Sequence, residues 1–282
     1  MKHLCKNNES ITLYKFKKLE KPESTRNKND LAVIFLDVET TGLDFSRDQV
    51  IQLCIRPVLF NSENYSVSAI AKSLVFHQDP GHPLSEEIKK LTNIEDSQLS
   101  NQKIDWGWVY ETIQRADFVV CHNAKFDRGM VEGEFKRAGL VSSDLDTIWA
   151  CSMDQIFWKD FCRPSRSLEV LCAWSGFFYD SHQADNDVDA LVHLLRVNNK
   201  IEELLENAIK SDYRVFAANS PRNMNEDLKK RKYRWDPAVT CWYKSFNDEL
   251  SATEEKKWLL EQNNQISAEL FEIEPKHRYS SE

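Results

Sequence analysis

The chain has 282 residues, 41% of them hydrophobic and 29% charged, with a formal net charge of −8. This composition suits a folded water-facing protein, and the acidic balance excludes one that coats polyanions over its whole surface. No apolar run approaches the roughly 20 residues needed to cross a bilayer, and Met1-Lys2-His3-Leu4-Cys5 lacks an apolar signal-peptide core.

Residues 1–30 are polar and lysine-rich and read as a flexible lead-in, with extended structure near Ile11–Phe16. Strands are expected at 31–37, 49–59 and 67–77, then short helices near Ser85–Leu91 and Ile104–Arg115. Asp117-Phe118-Val119-Val120-Cys121 is a further strand and 124–138 a helix; more helix is expected at 146–158, 167–175 and 184–207. Strands in succession followed by helix-strand alternation indicate an α/β sheet with an antiparallel side.

A second unit begins after Lys210. "YRVFAANS" and "TCWYKSF" read as strands, "MNEDLKKRKY" as a short helix, and "SATEEKKWLLEQ" as a helix with Ser251 and Glu254 placed as a capping box. The module is assigned to 211–275, with 276–282 as a frayed tail. The seven cysteines (5, 54, 121, 151, 162, 172, 241) are scattered and never spaced Cys-x-x-Cys. They read as reduced core residues of an intracellular, cytoplasmic protein.

Chemistry concentrates in three acid-bearing segments. Leu31-Ala32-Val33-Ile34-Phe35-Leu36 reads as a buried strand. Side chains alternate along a strand, so Asp37 and Glu39 at its end share one face. Two acids so placed repel each other, and a divalent cation relieves the repulsion. In "CHNAKFDRGM", Asp127 lies in the first turn of a helix and heads an inward stripe of Met130, Val131, Phe135 and Ala138. Taken alone, it is also the ordinary first-turn acid of many helices. In "SHQADNDVDALVHLL", Asp187 shares a face with Ala190, Leu191, Leu194 and Leu195, whereas Asp185 and Asp189 fall toward solvent. His182 precedes Asp187 by five positions, where a base beside a metal site would stand.

Together the four acids and the histidine resemble the DEDDh family of 3′→5′ exonucleases, a DnaQ-like group that includes proofreading subunits, RNase T and oligoribonuclease. The likeness covers about residues 31–200. "LDVETTGLD" resembles the first motif, "HNAKFDRGM" the second, and His182 with Asp187 the third. "HPLSEEIKKLTNIEDSQL" and "SLEVLCAWSG" are weaker matches, and Asn93 stands where many members have glycine.

The resemblance implies a ribonuclease-H-like core, a five-stranded mixed sheet with helices on both faces. It implies two divalent ions, Mg²⁺ or Mn²⁺, roughly 3.5–4 Å apart. Asp37, Glu39 and Asp187 would hold the first, and Asp37 and Asp127 the second. His182 would be the general base, since histidine ordinarily titrates near about 6.5. Water would then attack the last phosphodiester and release a 5′-mononucleotide. Thr40, Thr41, Leu43, Asn123 and Phe126 match positions that meet the 3′-terminal nucleotide, although turn chemistry and core packing account for the same residue types. The leading expectation is an enzyme acting on single-stranded 3′ ends of DNA, in repair or proofreading-like trimming. The same chemistry on RNA is the rival, since discrimination rests on the 2′-hydroxyl. A non-catalytic adaptor with this fold would be expected to have lost some of the acids.

In the second unit, Lys229, Lys230, Arg231, Lys232 and Arg234 are interleaved with Tyr233 and Trp235. Cations for phosphates and rings for bases suit single-strand binding. The same residues also describe a mini-domain core with a solvated rim. No motif points to a membrane or to a particular protein partner.

Overall fold

The computed structural model describes residues 12–16, 19, 27, 29–158, 165–262 and 265–280. The chain forms two compact units, Met1–Ala208 with Tyr279–Glu282, and Ile209–Arg278.

In the first unit, β1 (Tyr14–Lys15) precedes β2 (Leu31–Thr40), β3 (Val50–Phe60), β4 (Val67–Ile70) and β5 (Leu74–His77). Then come α1 (Glu86–Thr92), α2 (Asp96–Leu99), α3 (Trp106–Gln114), β6 (Phe118–Cys121), α4 (Ala124–Arg137) and β7 (Ile148–Cys151). The unit continues through α5 (Leu168–Trp174), β8 (Phe177–Phe178), α6 (Ala184–Val197) and α7 (Ile201–Ala208). The main sheet runs β4-β3-β2-β6-β7, with β5 also paired to β3. β3 is antiparallel to β2, whereas β6 and β7 run parallel to it.

β2 is central because both its faces are apolar. Val33 and Phe35 join the core beneath α5, α6 and α7, while Ile34, Leu36 and Val38 join the core beneath α3 and α4. Asp37 and Glu39 continue the first of these faces, so the acids emerge where α6 packs.

The expected mixed sheet flanked by helices is present, with six strands instead of five. The expected strand 67–77 breaks at Ala71–Ser73 into β4 and β5, which line successive halves of one edge of β3. Helix was expected at 146–158, but Ile148-Trp149-Ala150-Cys151 is a strand, buried at its last three positions and parallel to β6. A short apolar run of this kind carries no helical period, and the vacant sheet edge captures it. The expected helix 184–207 is two, parted at Asn199, whose φ is 51°. Asn93 caps α1 in the left-handed conformation at φ 56°, which explains why glycine is the alternative residue there.

Of the lead-in, Tyr14–Lys15 forms a strand parallel to Phe177–Phe178, and most of 1–30 lies outside the described residues. Cys54, Cys121, Cys151 and Cys172 are buried, as expected of core thiols, and Cys241 is half-buried. Cys5 and Cys162 lie outside the described residues. Among the described residues no helix is long and apolar enough to cross a membrane.

The second unit comprises β9 (Asp212–Ala218), α8 (Asn225–Lys230), β10 (Arg234–Asp236), β11 (Cys241–Phe246), α9 (Glu249–Gln262) and β12 (Ser267–Ile273). Its antiparallel sheet is ordered β10-β11-β9-β12. Val215, Ala217, Trp242 and Ala268 pack with Leu228, Ala252 and Leu259, so both helices lie on one face. α9 starts two residues before the expected cap. Asp248 Oδ1 accepts the Ser251 N–H at 2.8 Å, so Asp248 is the capping residue and Ser251 lies inside the helix. The expected frayed tail is partly held. Arg278 is buried and donates to Asp212 Oδ2 at 2.7 Å, while Ser280 Oγ lies 3.2 Å from both Glu132 carboxylate oxygens.

Candidate active site

Three chain segments converge at the C-terminal end of β2. Oxygens of Asp37 and Glu39 lie within 4.8 Å of one another and of an Asp187 oxygen. The strand register slips between Glu39 and Thr40, a bulge that ends regular pairing just past the acids.

α6 brings Asp187 in at a defined height. Gln52, the cross-strand partner of Glu39, accepts the Ala184 N–H at 2.9 Å through its side-chain oxygen. Arg56, the cross-strand partner of Phe35, lies 3.4 Å from Asp189. Asp189, expected toward solvent, is therefore buried against β3. The α6 stripe is wider than helical spacing from Asp187 indicated, because a charged partner waits inside the sheet. Buried ion pairs of this kind serve register more than net stability.

α4 brings in Asp127, which is 3% exposed. The backbone N–H groups of Asp127 itself, Val38 and Asn123 favour its ionised carboxylate and so oppose the effect of burial. Met130, Val131 and Phe135 are buried as expected, whereas Ala138 at the helix end is exposed.

Burial and mutual repulsion dominate the electrostatics. Burial, then the charges of Asp127, Asp187 and Glu39, push the Asp37 carboxyl well above the usual carboxylate range. Glu39 is pushed up to about 8 by burial, Asp187 and Asp127. Asp127 is pushed up to about 8, chiefly by burial, against the opposing pull of its backbone donors. Asp187 rises only to about 6, because Tyr179 and the Gln183 N–H donate to it. This all-oxygen donor set, crowded and short of counter-charge, fits a hard divalent cation. Asp37, Glu39 and Asp187 form the tight group, with Asp127 beside it.

Asp187 has partners that motif reading missed. The Tyr179 hydroxyl donates to its Oδ1 at 2.7 Å and the Gln183 N–H to its Oδ2 at 3.0 Å. Burial holds the Tyr179 phenol far above its ordinary pKa, so it stays a donor. His182 sits in the turn before α6 at φ 61°, half-exposed, with Nε2 3.4 Å from Glu169 Oε1 on α5. Gln52 could have been suspected as a polar residue inside an apolar strand. Tyr179 and Glu169 carry no such signal, because their roles depend on how α5 and α6 pack.

The remaining candidates surround this cluster unevenly. Thr40 is buried, its hydroxyl donating to the Gly42 carbonyl at 2.6 Å, and Thr41 Oγ1 donates to Asp48 Oδ1 at 3.2 Å. Gly42 permits this turn, since a Cβ there would lie 2.4 Å from Asp48 Oδ2. Leu43 is 80% exposed at the loop tip. Asn123 is exposed at the start of α4, and half-buried Phe126 packs against Phe45 with centroids 6.2 Å apart.

The basic run of the second unit is largely engaged within that unit. Lys229 pairs with Glu226 at 3.0 Å and Lys230 with Asp227 at 3.8 Å. Arg231 grips Glu255 at 2.8 Å and 2.9 Å and lies 3.9 Å over the Trp258 ring. Lys232 turns the chain at φ 69°, and Arg234 is exposed on β10.

Comparison with known proteins completes the assignment. The RNase_T family model, described as Exonuclease, matches residues 34–195, which contain all four acids and His182. A DNA polymerase III PolC-type of Streptococcus suis is 31% identical over 175 residues, covering 59% of this chain and 11% of that protein. The PolC-type polymerase of Lacticaseibacillus paracasei is 27% identical over 165 residues, covering 57% and 11%. The chain thus spans about a tenth of the length of the curated relatives it matches. Among solved structures, the nuclease domain of 3′hExo, a DEDDh family member bound to rAMP, has a TM-score of 0.49 at 15% identity, covering 64% of this chain and 97% of that one. E. coli Exonuclease I with a dA16 oligonucleotide has a TM-score of 0.47 at 18% identity, covering 67% and 48%. With a family match spanning more than half its length, this chain belongs to the RNase_T exonuclease family.

Proposed function

We propose that the first unit is a 3′→5′ exonuclease that removes 5′-mononucleotides from single-stranded DNA, using two divalent ions, Mg²⁺ or Mn²⁺. The observation that carries this reading is the convergence of Asp37, Glu39 and Asp187 within 4.8 Å, beside a buried Asp127. Acids held this close favour the cation-loaded state. Asp37, Glu39 and Asp187 would hold one ion, and Asp37 with Asp127 the other. When bound, such ions stabilise the charge that builds on the phosphate and its attacking and leaving oxygens.

The chain's own residues supply the rest. His182, exposed enough to meet solvent, accepts the proton of the attacking water. Glu169 faces one of its ring nitrogens. Tyr179 holds Asp187 in orientation through its hydroxyl. Exposed Leu43 and Asn123 would flank the terminal nucleotide, with Phe126, Thr40 and Thr41 shaping the floor. DNA is favoured over RNA because the curated relatives are DNA polymerases by name.

The test is nucleotide release from 3′-labelled and 5′-labelled single-stranded DNA, duplex DNA and RNA, with Mg²⁺, Mn²⁺ or EDTA. Release of the 3′ label first, from single-stranded DNA, abolished by EDTA and by Asp37→Ala, is expected. Faster cutting of RNA would reassign the substrate. Retention of a tenth of the activity in Asp37→Ala would overturn the metal assignment.

A further inference from the structure

Four strands carry a second cluster of rings and guanidinium groups, on the face of the second unit's sheet opposite α8 and α9. Cross-strand register places Tyr243 beside Phe216, and Arg234 beside Tyr243. On the other side, Glu269 lies beside Phe216 and Phe271 beside Arg214. None of the three rings belongs to the unit's core, which is built from the alternate positions Val215, Ala217, Trp242 and Ala268. Phe216 lies 5.9 Å from Tyr243 and 5.6 Å from Phe271, centroid to centroid, and Phe271 is 50% exposed. The Arg214 guanidinium lies 4.8 Å over the Tyr243 ring, and its Nε is buried with no hydrogen-bond partner among the described residues, which leaves the Nη groups to meet a ligand.

We propose that this sheet face is a platform for single-stranded nucleic acid. Bases stack on Tyr243, Phe216 and Phe271, and phosphates are held by Arg214 and Arg234.

A half-exposed ring in a small domain loses apolar contact unless something planar covers it. Bases do so without regard to sequence, because every base has a π-face. Arg214 is pre-oriented by its stacking, and a planar guanidinium can bond two phosphate oxygens at once. Arg234 supplies a second cation at the neighbouring edge. Glu269 is an acid on the same face. Its carboxylate suits an exocyclic base amine and limits non-specific attraction of duplex backbone. The basic run 229–232 serves this role less well, since Arg231 is held by Glu255 and Trp258. Neither the rings nor the two arginines depend on the acidic cluster of the first unit.

The experiment uses the full chain carrying Asp37→Ala, to prevent cleavage, and measures binding of fluorescein-labelled dT20 by anisotropy. Phe271→Ala and Tyr243→Ala should each weaken binding about tenfold, in the range found for base-stacking rings. Arg214→Gln should weaken it and flatten the salt dependence by about 0.7 in slope for each phosphate lost. Lys229→Gln with Lys230→Gln should leave the Kd within about twofold, by the pairing above. With Asp37 restored, the ring variants should still degrade a trinucleotide at about the wild-type rate. Unchanged dT20 affinity in both ring variants would overturn the platform, as would a larger loss in the lysine variant. Should a ring variant unfold, Arg214→Lys, which keeps the charge but loses the planar fork, must weaken dT20 binding for the proposal to survive. A wild-type chain that binds dT20 but releases no nucleotide would overturn the exonuclease reading and leave the platform intact.

Discussion

His182 and Glu169 face each other across the gap between α5 and the turn before α6, with Nε2 and Oε1 3.4 Å apart. A carboxylate behind an imidazole fixes the ring's orientation. His182→Ala should lower kcat about 10²–10⁴-fold, the usual worth of a general base. Glu169→Gln should lower kcat by a smaller factor, about tenfold, with KM little changed. The double variant should be no slower than His182→Ala alone, because Glu169 acts through the ring. Additive losses in steady-state kinetics would separate the two residues.

The metal-free protein should lose stability as pH rises. Folded-state values of about 8 for Glu39 and Asp127 and about 6 for Asp187 lie above the roughly 4 of an unfolded carboxyl. Groups raised in this way favour the fold fully below pH about 4, and that contribution is lost as pH climbs through 6 to 8 and they ionise. Thermal melts in EDTA should therefore show Tm falling from pH 5 to 9. Mg²⁺ should raise Tm most at the alkaline end. A Tm that rose over this range in EDTA would contradict the repulsion described at the site.

Asp37→Asn should remove both the metal and the repulsion. It should abolish nucleotide release, while the EDTA-treated variant at pH 8 melts above wild type by several degrees, at roughly 2–4 °C per kcal/mol relieved. Differential scanning calorimetry beside the activity assay checks both signs.

Tyr179→Phe keeps the ring and deletes the donor to Asp187 Oδ1. Residues that orient a metal-binding side chain commonly contribute about 10–100-fold to affinity. Mg²⁺ titration by calorimetry should show a weakening of that order. Since the hydroxyl also lowers the Asp187 pKa, the loss should be greater at pH 6 than at pH 8.

Gly133→Ala reaches the site through a loop. A Cβ at Gly133 would lie 2.5 Å from the Phe45 carbonyl oxygen, a backbone atom that must move, and the loop it belongs to carries Leu43. Overpacking of this kind costs about 1–3 kcal/mol. KM for oligonucleotides should rise while Mg²⁺ affinity stays near wild type; the reverse pattern would show that the loop does not meet substrate.

Much of the chemistry was legible in the chain because it rests on local periodicity. Asp37 and Glu39 two apart on a strand, Asp127 in a first helical turn, and Asp187 on an apolar stripe follow from repeats of 2.0 and 3.6 residues. What periodicity could not reach was decided by distant partners. The 148–151 run became a strand because β6 offered an edge. Asp189 turned inward because Arg56 waited in β3. Tyr179 and Glu169 acquired their partners only when α5 and α6 packed together, and Arg231 found its partners in Glu255 and Trp258. Spacing along the chain determines which side chains share a face. Only long-range packing determines which charges meet, because each buried charge takes the partner that tertiary contact brings within reach.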